Sequence, residues 1–85
     1  MLSFTDKGWL QYSAWENEDK KTLKKIKKLI KSINRDGAME GEGKPEKLKN
    51  IPDTYSRRID ETNRLIYIAT DGNCTIKSCK GHYDE

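Results

Sequence analysis

The chain has 85 residues, 33% of them hydrophobic and 36% charged, with a formal net charge of +3. That length leaves room for one domain, residues 1–85, and a hydrophobic share below the usual ~45–50% allows only a thin core. There is no run of about 18 apolar residues, and Met1-Leu2-Ser3-Phe4-Thr5-Asp6 lacks the basic-then-apolar order of a signal peptide, so the expectation is a soluble cytoplasmic protein without a membrane partner.

Leu2 and Phe4 alternate with polar neighbours and suit a short first strand, after which Thr5 or Asp6 caps a helix. Trp9, Tyr12 and Trp15 fall three apart on that helix and read as its buried edge, with Gly8 weakening it slightly. Asn17 or Asp19 caps a second helix, whose Leu23, Ile26, Ile30 and Ile33, helped by Leu29, keep one apolar face until Asp36-Gly37 provides a left-handed cap. Between Lys20 and Arg35 this helix carries eight cationic residues and no acidic one. Two readings of that stripe stay open: a solvated helix face, or a surface that attracts nucleic-acid phosphates without sequence preference.

From Gly37 to Pro52 the composition shifts to Gly41, Gly43, Pro45 and Pro52 among alternating charges, the pattern of a long structured loop. Pro45 suits the first position of a single helical turn over Glu46-Lys47-Leu48-Lys49, and a loop this long in a small domain points to function. Three strands should follow, around Arg57-Arg58-Ile59, over Arg64-Leu65-Ile66-Tyr67-Ile68, and from Cys74 to Gly81, with a turn at Asp71-Gly72 and His82-Tyr83 at the end. On one strand Cys74 and Cys79 would point to opposite faces, ~17 Å apart, as reduced thiols with packing roles. The expected fold class is α+β: an N-terminal strand and a two-helix hairpin packed on one face of an antiparallel sheet, with the other face free for a ligand.

The segments from Glu40 to Lys49, Ser56-Arg57-Arg58-Ile59, Arg64-Leu65-Ile66-Tyr67 and His82-Tyr83, with the Trp15 region and the spacing between them, resemble the YoeB/Txe family of bacterial toxins within the RelE/ParE superfamily. The resemblance runs over nearly the whole chain. It implies a RelE-like domain, a ribosome-dependent mRNA endonuclease, and a cognate antitoxin of the YefM/Axe type, with ribosomal RNA as a further contact and a homodimer as the assembly. Matched residue by residue, it implies that Glu46 is the general base, Arg64 the phosphate-stabilising cation and His82 the general acid with Tyr83 beside it, and that Lys44, Lys49, Arg57 and Arg58 face the RNA. The chain departs from the family's pattern at Lys47, where proline is common, at Asn63, where histidine is common, and at Asp84-Glu85, which follow the His-Tyr pair and would raise the pKa of His82.

The chemistry stands beside the resemblance. Cutting RNA without a metal needs a base for the 2′-OH, a fixed cation for the phosphoryl oxygens and an acid for the leaving 5′-oxygen, which glutamate, arginine and histidine supply. One histidine, no Cys-x-x-Cys, and few paired carboxylates, Asp60-Glu61 and Asp84-Glu85 among them, give little to hold a metal, so no metal and no cofactor are expected. Taken alone, each of the three residues is also an ordinary surface group, and the resemblance is what assigns them roles. The alternatives are a non-catalytic ParE-like inhibitor of DNA gyrase, which would not need this set, and an RNA- or ribosome-binding module without cleavage, which the lysine helix alone would support.

Overall fold

The computed structural model describes residues 1–82, and Tyr83, Asp84 and Glu85 lie outside the described residues. Along the chain come β1 (Leu2–Phe4), α1 (Asp6–Glu18), α2 (Lys20–Asp36), β2 (Glu46–Lys47), β3 (Thr54–Arg58), β4 (Arg64–Thr70) and β5 (Asn73–Ser78). The strands form one sheet in the order β1-β5-β4-β3-β2. Neighbours are antiparallel except β1, which adds to β5 in parallel, so the sheet is mixed. The two helices carry the chain from β1 across one face to the far edge of the sheet, where β2 runs antiparallel to β1, and the meander β3-β4-β5 then brings β5 back alongside β1 in the same direction.

Local signals set the helix ends. Thr5 Oγ1 accepts the Gly8 N–H at 3.0 Å and starts α1. Asp19 is the single residue between the helices, and its carboxylate accepts the Lys21 N–H at 3.0 Å and the Thr22 hydroxyl at 2.9 Å. α2 stops at Gly37, whose φ of 102° and ψ of 171° lie in a region reserved for glycine rather than in the left-handed helical well.

Leu23, Ile26, Leu29 and Ile33 of α2 pack on Leu65, Tyr67 and Ile76 of the sheet, with Trp15 and Cys79 closing one end. The aromatic residues of α1 do not share one edge. Trp15 is buried and Tyr12 half-buried, but Trp9 is 54% exposed, against Tyr12 and the edge of Phe4. At ~100° per residue, positions six apart stand about 120° apart around a helix, so a three-residue spacing drifts off any single face. Gly8 also has a role that propensity misses. A Cβ there would run into the Ile76 carbonyl, so this glycine lets α1 sit directly on β5.

Two further features depart from expectation. Glu46-Lys47 is a short strand pairing with Ser56 and Tyr55, not a helical turn. A bulge between β4 and β5 leaves Lys77 as an extra residue, since Ile66 lies opposite Ser78 while Tyr67 lies opposite Ile76. The insertion resets the alternation. Cys74 and Cys79 therefore both pack towards the helices instead of facing opposite ways, and both are free thiols. Burial pushes the Cys79 thiol up to about 11.

Gly8→Ala is expected to lose about 1–3 kcal/mol of stability in urea unfolding, because overpacking against a sheet carbonyl outweighs the ~1 kcal/mol of helix propensity gained. Increased stability would show that α1 can lift off β5 at little cost.

Candidate functional site

Strand alternation creates the site. Leu65 and Tyr67 face the helices, so Arg64 and Ile66 face away, and the pairings carry this across the sheet. Glu46, Ser56, Ile66 and Ser78 form one row on the open face, and Arg58 and Arg64 lie directly opposite each other in the next. Arg64 reaches diagonally between the rows. Its Nη1 donates to Glu46 Oε1 at 3.3 Å and to Ser56 Oγ at 3.3 Å. Two arginines side by side repel, and a single half-exposed carboxylate only partly offsets them. Such a surface suits an anion, and because it is a sheet face rather than a deep pocket it suits a polymer. A cavity of about 320 Å³ lies elsewhere, between the end of α2 and the β4–β5 turn, and Ile33, Ala38 and Cys74 are among the residues lining it.

Arg57 is not part of this surface. It is fully buried on the helix-facing side of β3, and all five guanidinium N–H groups have internal acceptors. Nε donates to Tyr67 Oη at 2.9 Å, Nη1 to Ser32 Oγ at 3.0 Å and the Glu42 carbonyl at 2.8 Å, and Nη2 to the Gly37 carbonyl at 2.7 Å, the Glu40 carbonyl at 2.6 Å and the Ala38 carbonyl at 3.5 Å. The expectation that Arg57 faces RNA is thereby corrected. Its position among inward-facing residues, set by the register with Leu65, makes it the anchor of the loop that leads to Glu46. Tyr67 completes the anchor by donating to the Ala38 carbonyl at 2.6 Å, and burial raises its hydroxyl pKa while Arg57 opposes that rise.

The other expected residues fall on either side of this anchor. Lys44 is exposed with φ +50°, directly after Gly43, whose carbonyl accepts the Arg58 N–H at 2.7 Å. Lys49 is exposed beyond β2 and Arg58 is exposed on the open face. The lysines of α2 belong to the helix layer, on the opposite side of the sheet from Glu46 and Arg64. Lys28 pairs with Glu42 at 3.5 Å.

His82 is exposed, and the residue before it is tied to β4 through the backbone. Arg64 N–H donates to the Gly81 carbonyl at 3.0 Å, so the histidine follows a peptide bonded to the start of β4. Upstream, Gln11 accepts the Cys79 N–H at 2.7 Å and Trp15 Nε1 donates to the Cys79 carbonyl at 3.0 Å. Tyr83, expected beside the acid, lies outside the described residues, as do Asp84 and Glu85. Among the described residues no three His, Cys, Asp or Glu side chains converge as a metal-binding group. No helix among them is long and apolar enough to cross a membrane.

The family model for YoeB-like toxins of bacterial type II toxin–antitoxin systems matches residues 4–83. The chain belongs to the YoeB toxin family. It is 43% identical to toxin YoeB of Escherichia coli K12 over 83 residues, covering 96% of this chain and 98% of the relative. Two solved Staphylococcus aureus structures are each 48% identical to it. One, a heterotetrameric YoeB–YefM toxin–antitoxin complex, superposes with a TM-score of 0.90 over 98% of this chain and 97% of the other. The second, a YoeB dimer, superposes with a TM-score of 0.91 over 96% and 95%. In this YoeB family member, sequence reasoning missed Ser56. A serine in a strand carries no signal until the register places it between Glu46 and Arg64.

Arg57→Lys is expected to lower stability by at least about 3 kcal/mol in urea unfolding, since one ammonium has three donors for six separate acceptors and leaves buried carbonyls unpaired. Arg58→Ala on the exposed side of the same strand should change it by less than about 0.5 kcal/mol. Equal losses at the two positions would contradict the anchor.

Proposed function

We propose that the protein is an mRNA endonuclease that acts on the ribosome in the cytoplasm, without a metal or other cofactor, and so halts translation. The observation that carries this reading is the Glu46–Arg64–Ser56 cluster on the open sheet face, with the His82 segment bonded to the same arginine's backbone. Membership of the YoeB toxin family supports it.

In the proposed mechanism Glu46 takes the proton from a 2′-OH, and that oxygen attacks the adjacent phosphorus. Arg64 grips the phosphoryl oxygens through its planar fork. His82 gives a proton to the departing 5′-oxygen, and Tyr83 is placed beside it by the resemblance. In the free protein Arg64 rests on Glu46. An exposed ion pair of this kind is worth only ~0–1 kcal/mol, so an incoming phosphate displaces it readily and frees the carboxylate to act as a base. Arg58, Lys44 and Lys49 guide the message, while the α2 lysines contact ribosomal RNA from the other side of the domain.

The small, open site has little surface with which to orient a flexible strand. The ribosome supplies that orientation by holding the message. For partners, an antitoxin segment with acidic or polar acceptors covers the open face and neutralises Arg58 and Arg64, whereas Arg57 needs no partner. The solved YoeB–YefM complex and YoeB dimer support an antitoxin of the YefM type and a homodimer here.

Three results are expected. Ribosome-bound message should be cut to leave a 2′,3′-cyclic phosphate or 3′-phosphate upstream and a 5′-hydroxyl downstream, and naked RNA hardly at all. A downstream 5′-phosphate, or equal rates on both substrates, would refute the reading. Glu46→Ala, Arg64→Ala and His82→Ala should each slow single-turnover cleavage by ~10²-fold or more with little effect on ribosome affinity. The double substitution Lys24→Ala with Lys28→Ala should do the reverse, weakening binding and flattening its salt dependence by roughly one counterion per lost phosphate contact while bound message is cut at the normal rate.

A further inference from the structure

Gly81 is the last peptide before His82, and it lies beyond β5, where no sheet ladder holds it. Both of its polar groups are nevertheless bonded. Its carbonyl accepts the Arg64 N–H at 3.0 Å, and its own N–H donates to Asn63 Oδ1 at 2.8 Å. Its φ is +81°, and a Cβ built there would meet nothing within 4 Å, so glycine is required for its backbone and not for space.

Asn63 is itself preset. Its Nδ2 donates to Asp60 Oδ1 and Oδ2 at 3.2 and 3.1 Å, while Asp60 Oδ1 also accepts the N–H groups of Thr62 at 2.8 Å and Asn63 at 2.7 Å. An amide side chain has a donating end and an accepting end, and a carboxylate accepts only. Asp60 thus takes the NH₂ end and leaves the Asn63 carbonyl oxygen facing Gly81. Burial alone would raise the Asp60 pKa, but the hydrogen bonds from Asn63 and Thr62, with the charge of nearby His82, hold it below the usual carboxylate value.

We infer that Asn63 is a positioning residue, oriented by Asp60, which clamps the Gly81 peptide so that His82 is held beside Arg64. The β3–β4 turn then fixes two reacting groups at once, since the residue after Asn63 is Arg64 and the residue after the clamped glycine is His82. The kinetic consequence rests on the proposed cleavage activity, but the clamp itself does not.

Three variants of the full chain test it: Asn63→Ala, Asn63→Asp, and the exchanged pair Asp60→Asn with Asn63→Asp. The second sets two carboxylates against each other. The third restores one amide donor and one carboxylate acceptor with their places reversed. Hydrogen exchange of the Gly81 amide is read by NMR on the free protein, and single-turnover cleavage and ribosome affinity are read on ribosome-bound message. Both single variants should exchange the Gly81 amide ~10-fold faster or more. They should cut bound message ~10-fold more slowly with affinity within about twofold of the parent, and the exchanged pair should recover both properties. Unchanged Gly81 exchange in the single variants, unchanged cleavage despite faster exchange, or no recovery in the exchanged pair would each overturn the inference. If Asn63→Ala does not fold, the comparison of Asn63→Asp with the exchanged pair decides. If the parent protein does not cut ribosome-bound message, the proposed activity falls and the exchange measurements alone decide the clamp.

Discussion

A fully buried guanidinium with five N–H groups and six oxygen acceptors is the constraint on which the rest of this molecule depends. Removing an arginine from water is expensive, and among the described residues no carboxylate bonds to Arg57 to offset the loss. Instead, carbonyls from Gly37, Ala38, Glu40 and Glu42 and hydroxyls from Ser32 and Tyr67 surround it, so the charge is solvated by the loop itself. That arrangement works in both directions. The loop satisfies the arginine, and the arginine gives backbone carbonyls of an irregular segment the partners that a helix or strand would otherwise supply. A thin core can tolerate so long a loop because one side chain ties it to α2 and the sheet together.

The site follows from that tie. With residues 37–43 fixed, the chain enters β2 in a register that sets Glu46 against Ser56, and Arg64 reaches it from the next row. Opposed arginines on one face and an arginine satisfied by the loop on the other show how β3 divides its labour by alternation alone. Arg57 and Arg58 are adjacent in sequence and opposite in role. The bulge at Lys77 and the hydrogen bonds from Gln11 and Trp15 then bring the end of the chain back towards Arg64.

The sequence patterns foretold the helices closely, because apolar spacing and the Thr5 and Asp19 caps are local signals. The turn at Asp71-Gly72 was equally plain, and both residues have positive φ. Other features depend on pairings that no local pattern records. Glu46-Lys47 becomes a strand only because Ser56 and Tyr55 offer it an edge, and the bulge that turns Cys79 inward is invisible in a run that alternates acceptably without it. Arg57 was misplaced for a similar reason: Arg-Arg in a basic chain reads as surface, and only register decides which of the two points inward. Asn63 read as a departure from a family pattern, and its geometry shows an amide bonded at both ends.

The proposed reaction begins when Glu46 takes a 2′-OH proton from a message held on the ribosome, so that the 2′-oxygen attacks the adjacent phosphorus. The most direct measurement is single-turnover cleavage of a ribosome-bound message carrying one 2′-deoxynucleotide immediately upstream of the cut. This message should not be cut at that position although the protein still binds the complex, because the attacking oxygen is gone. Cleavage there at the rate of the all-ribose message would rule out attack by the 2′-oxygen and with it the proposed role of Glu46.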